Sequence, residues 1–396
     1  MDMTTDILIS GGGVAGLTAA AAFGTAGYNV FCVEPTPPVM TASDAGADLR
    51  TTAFLQPSVA VLQAAGLWDR LKPHAAALQI MRIIDAGGAL QEPRLVKDFD
   101  ASDISDQPFG WNLPNWLLRR EMVARLAELP NVTFRPGTAT TSLMTRTSEA
   151  RVTLSDHSTL RARMVIAADG RDSTMRAALG IPVRTFRYGQ KALTFAVTHA
   201  IPHHNVSTEI HRSGGPFTLV PLPDRDGQPC SAVVWMETGA RIAQLNALDP
   251  HAFEAEINAR SCLILGPLTL ASRRMVWPII AQLAARMTGE RVALMAEAAH
   301  VLPPIGAQGL NMSLADLQAL LDLAGSHDLG SVAMLDAYHR RRHLDVEARV
   351  LGIDLLNRTS MLGAPPLRDL RAGALNALYS LGPVRKTLMK AGLGLR

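Results

Sequence analysis

Apolar and polar positions alternate with several different periods along this chain, and each period predicts a different element. Ile7-Leu8-Ile9 is a short unbroken apolar run of the kind that fills a buried parallel strand. Leu17 to Ala26 is alanine-rich, lacks proline and stops at Gly27, which predicts a helix closed by a glycine. Asn29 to Val33 then reads as a second strand, closed by Glu34. From about Gln190 to Glu237 the runs become strand-like: Leu193 to Thr198, Ser207 to His211, Phe217 to Pro221 and Ser231 to Met236. A turn over residues 223–229 divides the last two. A helical stretch follows, with Phe253, Ile257 and Leu263 as its apolar positions. Near the end Leu375, Leu378, Leu381, Val384 and Leu388 recur at helical spacings beside Arg371, Arg385, Lys386 and Lys390.

The first strand and helix enclose Gly11-Gly12-Gly13-Val14-Ala15-Gly16, a G-x-G-x-x-G carried by Gly11, Gly13 and Gly16. The first glycine makes the tight turn, the second admits a pyrophosphate to the backbone, and the third packs helix on strand. The helix start offers unpaired N–H groups to the phosphates. Glu34 stands where a carboxylate can take both ribose hydroxyls. These residues point to an adenine-dinucleotide site and leave NAD and FAD open.

At 396 residues and 48% hydrophobic the chain is long enough for two or three units with buried cores. A net charge of +3 gives no argument for nucleic-acid binding. It is unevenly spread, because residues 337–396 hold 11 Lys+Arg against 4 Asp+Glu. Cys32, Cys230 and Cys262 form neither a CxxC nor a zinc spacing. His203, His204 and His211 lack a second pair at ligand spacing, so no metal site is expected. No signal peptide opens the chain and no segment has the ~20 unbroken apolar residues of a membrane span. A cytoplasmic location follows as the expectation.

Two further patches complete the candidate chemistry. Val165 to Ala168 is an apolar strand ending in Asp169-Gly170, then a helix with Ser173 and Arg176. Val292 to Met295 is another, leading to Glu297, a loop with Pro303, Pro304 and Gly306, and a helix to about Leu323. In this order and at these intervals the three patches resemble the single-component FAD-dependent aromatic hydroxylases, those with the p-hydroxybenzoate-hydroxylase fold. Within them the chain is most similar to the ubiquinone-biosynthesis flavin hydroxylases, through Asp48 to Phe54, Leu62 to Leu71, Gly215 to Pro223, Ser231 to Trp235 and the tail from Asp354.

The resemblance implies an α/β protein with a discontinuous Rossmann-like FAD-binding domain over 1–75, 110–175 and 275–335. An inserted antiparallel β-sheet substrate domain would take 76–109 and 176–274, and a helical tail 336–396. Gly11, Gly13, Val14, Ala15, Gly16 and Glu34 would hold the ADP half of FAD. Arg50 and Arg119 would lie near the pyrophosphate and ribityl chain, and Asp169 between FAD and the nicotinamide nucleotide. Glu297 stands where the family has aspartate. Pro304, Gly306, Gln308, Gly309, Leu310 and Asn311 would border the isoalloxazine.

The implied reaction hydroxylates a polyprenylated phenol of ubiquinone biosynthesis with NAD(P)H and O2, through a C4a-hydroperoxyflavin. The sequence names no catalytic base, and His300 reads as a packing or positioning residue. A soluble small-phenol hydroxylase and a flavin-binding scaffold subunit are the alternatives. The basic tail suggests a peripheral contact on the inner face of the membrane, or with a biosynthetic complex.

Overall fold

A computed structural model describes residues 3–88, 92–212, 214–361, 373 and 379–393. Ile7, Leu8 and Ile9 lie in the strand Met3–Ser10 at the centre of the first, largely parallel sheet. It pairs in parallel with Val30–Glu34 on one side and Thr159–Ala167 on the other. Val132–Pro136 and Val292–Leu294 extend this parallel core outward. Strands filled by Ile, Leu and Val on both faces are what a sheet buried by helices requires. The covering helix Val14–Thr25 buries Leu17, Ala19 to Ala22 and Phe23 completely or nearly so, and Gly27 leaves it at φ +91°.

The second sheet has nine strands and is antiparallel apart from one parallel pair. Its central strands are Val183–His199, Gln228–Thr238, Pro216–Arg225 and Val206–His211, and Ile80–Asp85 with Leu95–Asp100 complete one edge. Asp226 and Gly227, at φ +52° and +76°, close the hairpin inside the expected turn. Side chains alternate across the middle of this sheet, away from the register shifts near Gln190 and Leu222. Leu193, Phe195, Ile210, Phe217, Val233 and Trp235 form one face and pack on Ile242, Leu245, Phe253 and Ile257 of two helices. The opposite face looks back toward the nucleotide sheet.

Three expectations need correction or bounds. The strand Met275–Ala284 starts the stretch assigned to the nucleotide unit, yet it hydrogen-bonds to Val183–His199 in the second sheet. Leu263 is not on the inner face of a helix. The helix Pro250–Ser261 ends first, Cys262 and Leu263 take positive φ, and Leu263 is exposed. Leu375, Leu378 and Arg371 lie outside the described residues. Among the described residues after 331, Val332–Met361 and Gly382–Leu393 are helical.

Candidate cofactor and substrate cavity

The turn after Met3–Ser10 is shaped by glycines that have no room for a side chain. A methyl group on Gly11, whose φ is +105°, would meet the Ala168 carbonyl, and one on Gly16 would meet the Gly11 carbonyl. Gly13 differs: nothing lies within 4 Å of where its Cβ would stand. It opens instead onto a cavity of about 870 Å³. The helix that starts there has no side-chain cap, so its first N–H groups remain for a ligand.

Glu34 closes the second strand and accepts the Gly12 N–H at 2.6 Å through Oε2. Its other oxygen accepts from Thr36 N–H at 3.1 Å and lies 3.8 Å from Arg119 Nη2. Arg119 also lines the cavity, and among the described residues its Nε is buried without a partner. A buried guanidinium N–H with nothing to donate to is costly, and a bound anion would satisfy it.

Asp48 and Arg50 form a fork-to-fork pair beside the same cavity, Arg50 Nη2 to Asp48 Oδ2 at 2.6 Å. Asn115 donates to Asp48 at 3.0 Å, and the Arg50 guanidinium stacks 3.9 Å over the Trp277 ring. Burial pushes the Asp48 carboxyl up, but the hydrogen bonds and charge of Arg50 outweigh it and hold it below the ordinary carboxylate range. Burial likewise pushes Arg50 down, while Asp48 and then Glu297 raise it above its usual value.

In the middle patch Asp169 is a brace rather than a lining. Asp169 accepts from Ser173 Oγ at 2.6 Å and from Met175 N–H at 3.1 Å, and Ser173 caps the short helix Thr174–Ala178. Ala168 and Gly170, on either side, line the cavity. Arg176 ties this patch to the next, donating to Ala298 O at 2.9 Å and Arg171 O at 2.8 Å. Glu297 lines the cavity, half exposed, with Oε2 3.5 Å from Arg171 Nε.

Beyond Glu297, residues Pro304, Gly306, Gln308, Gly309 and Leu310 form a continuous wall. Ala307, at φ +56°, starts the helix Gln308–Ala324, again with no side-chain cap. Asn311 holds this start in place. It accepts from Leu55 N–H at 2.9 Å and donates to Ala53 O at 2.8 Å and Ala307 O at 2.6 Å. Two uncapped helix starts therefore face one cavity. That arrangement, with open space over Gly13 and an unpaired Arg119 Nε, fits a long ligand that is anionic at one end and electron-rich at the other.

Of the expected site residues, Gly13, Val14, Ala15, Arg50, Arg119, Glu297 and those from Pro304 to Leu310 line the cavity. Gly11, Gly16, Glu34, Asp169 and Asn311 set the geometry behind it. Three participants were not anticipated. Asp316, fully buried, lies 2.6 Å from His300 Nε2 and 2.7 Å from Arg342 Nε. That contact engages His300 Nε2 and makes the residue part of an internal clamp. Glu209 lines the far end of the cavity with Ile83, Thr218 and Val234. Arg385, Leu388 and Met389 of the last helix close over the same space.

A model of the FAD binding domain family matches residues 4–351. The ubiquinone hydroxylase UbiL of Rhodospirillum rubrum is 31% identical over 99% of this chain and 90% of its own length. The 3-demethoxyubiquinol 3-hydroxylase of Escherichia coli is 28% identical over 99% of each chain. In fold, the p-nitrophenol 4-monooxygenase PnpA of Pseudomonas putida superposes with a TM-score of 0.79 at 20% identity, covering 100% of both chains.

Proposed function

The chain belongs to the FAD binding domain family, and on that premise we propose that it is an FAD-dependent monooxygenase of ubiquinone biosynthesis. It hydroxylates the aromatic ring of a polyprenylated phenol, with NAD(P)H as reductant and O2 as the source of oxygen. The observation that carries this reading is the likeness to a ubiquinone hydroxylase along 99% of the chain at 31% identity.

Bound FAD supplies the redox chemistry, taking electrons from NAD(P)H and activating O2. The protein supplies position and environment. The N–H groups opening Val14–Thr25 and the Arg119 guanidinium would receive the pyrophosphate charge, and Glu34 would accept from the ribose hydroxyls. The uncapped start of Gln308–Ala324 favours negative charge on the ring system beside it. Asn311 ties that helix start to Ala53 and Leu55, and Asp316 of the same helix holds His300 and Arg342. Ile83, Phe99, Val220 and Val234 give the substrate end of the cavity apolar walls around its few polar groups, which limits water at the reacting atoms.

A peripheral seat on the inner face of the membrane is the part of this reading that concerns location. Among the described residues no helix is long and apolar enough to cross a membrane. Leu381, Val384 and Leu388 are exposed beside exposed Lys386 and Lys390, a pattern suited to an anionic lipid surface. Leu388 also lines the cavity, so a lipid-borne substrate would meet this helix on entry.

Turnover under labelled dioxygen tests the reaction. The purified, FAD-loaded protein with NAD(P)H and a prenylated phenol should give a product carrying one labelled oxygen on the ring. NAD(P)H consumption without labelled product would remove the hydroxylase reading.

A further inference from the structure

We propose that Glu209, steadied by His211, recognises the ring hydroxyl of the substrate and orients the ring by accepting a hydrogen bond from it. The inference rests on the hydroxylase reading and deepens it. Val206–His211 pairs with Pro216–Arg225 and Ile80–Asp85 so that Glu209 stands opposite Thr218 on one neighbour and Ile83 on the other. Thr218 in turn stands opposite Val234. All four side chains face the cavity, so a carboxylate sits in a row of two aliphatic residues and a threonine.

Burying a carboxylate is costly, and the protein offsets the cost with a single visible partner. His211 Nε2 lies 2.7 Å from Glu209 Oε1, with both side chains largely buried. Among the described residues His211 Nδ1 is buried without a hydrogen-bond partner, and the ring's polar contact is this carboxylate. The neighbouring acid on the same face, Asp85, is held by Arg94 at 2.6 Å and is not free for a ligand. Glu209 keeps a second oxygen for the cavity. A carboxylate there accepts from a phenolic O–H and repels the bare oxygen of an ether. Accepting that bond also enriches the ring in electrons, which is what an electrophilic oxygen transfer needs.

Calorimetric titration of the FAD-loaded protein with a short-chain prenylphenol and with its O-methyl ether tests the inference. The wild type should bind the phenol about tenfold more tightly than the ether, the difference expected of one charge-assisted hydrogen bond. Glu209→Gln, which keeps the side chain's shape, should shrink that preference to about threefold or less with unchanged flavin content. His211→Gln, which retains an N–H donor toward Glu209, should keep most of the preference, and His211→Phe should lose part of it. A wild type without the preference, or a Glu209→Gln protein that retains it in full, overturns the inference. Product analysis on the same samples separates this from the hydroxylase reading. Labelled product with a preference unmoved in Glu209→Gln leaves the reaction standing and removes Glu209. A Glu209-dependent preference without product keeps the recognition site and removes the reaction.

Discussion

Arg171 Nε and Glu297 Oε2 stand 3.5 Å apart beside the cavity, so a side chain of the third patch is tied to the turn that follows Asp169-Gly170. Glu297 lines the cavity and reaches Arg171 at the same time. It also lends negative charge to Arg50. Glu297→Ala removes both contacts and a polar partner for the cofactor. FAD affinity should fall about tenfold, the scale of one hydrogen bond to a charged group, as read by flavin fluorescence during titration of the unloaded protein. An unchanged affinity would take Glu297 out of the binding site.

The glycines of the first turn separate folding from binding. Gly16→Ala drives a methyl group into the Gly11 carbonyl, so the unloaded protein should lose stability and melt at lower temperature. Gly13→Ala meets no protein atom, so the unloaded protein should melt as the wild type does while losing most of its FAD. Thermal melting without flavin, followed by the ratio of flavin to protein absorbance, reads both effects. A Gly13→Ala protein that retains full flavin would move the pyrophosphate away from this turn.

Asp316 neutralises Arg342 in the interior and engages His300 as well. Asp316→Ala leaves a buried guanidinium with a single remaining carboxylate, Asp345 at 2.7 Å. Removing one member of such a pair costs about 3–5 kcal/mol, and urea unfolding of the unloaded variant should show a loss of that order. A loss below about 1 kcal/mol would mean the clamp is not load-carrying at this site.

Asp48 predicts the sign of an acid effect. Its folded value lies below the ordinary carboxylate range, so its contribution is fully present above about pH 4 and is lost as pH falls through the depressed folded value. Asp48→Asn should therefore flatten the acid arm of melting temperature against pH, with less change between about pH 5 and about pH 3 than in the wild type. Parallel acid arms in the two proteins would show that other carboxylates set this dependence.

Lys386 and Lys390 are exposed and do not line the cavity, so they can be changed without touching the site. At about 1 kcal/mol per lysine near an anionic surface, Lys386→Gln with Lys390→Gln should weaken co-sedimentation with anionic vesicles roughly thirtyfold. Unchanged sedimentation would remove the membrane contact through this helix.

What was legible in the sequence was local. The apolar run Ile7 to Ile9, the glycines that follow and the alanine-rich helix declare one another within 25 residues, because each shapes its chain neighbour. The hairpin at Asp226-Gly227 is local in the same way. The Asp316 clamp joins residues 16 and 26 apart, and Glu209 meets Ile83 across a parallel pairing between segments more than a hundred residues apart. No periodicity reports such partners. The alternation of Ser207, Glu209 and His211 along one strand was the available signal, and it marks a polar face without saying what that face lines. Met275–Ala284 shows the same limit: it hydrogen-bonds into the second sheet while Ala281, Leu283 and Ala284 pack in the nucleotide core, and an apolar strand reads alike in either place.

The most direct test of the account is the visible spectrum of the purified protein, before and after NADPH is added under nitrogen, with and without a prenylated phenol. The protein should be a yellow flavoprotein whose absorbance bleaches faster when the phenol is present. Protein that takes up no FAD, or bound FAD that no nicotinamide nucleotide reduces with the phenol present, would contradict it.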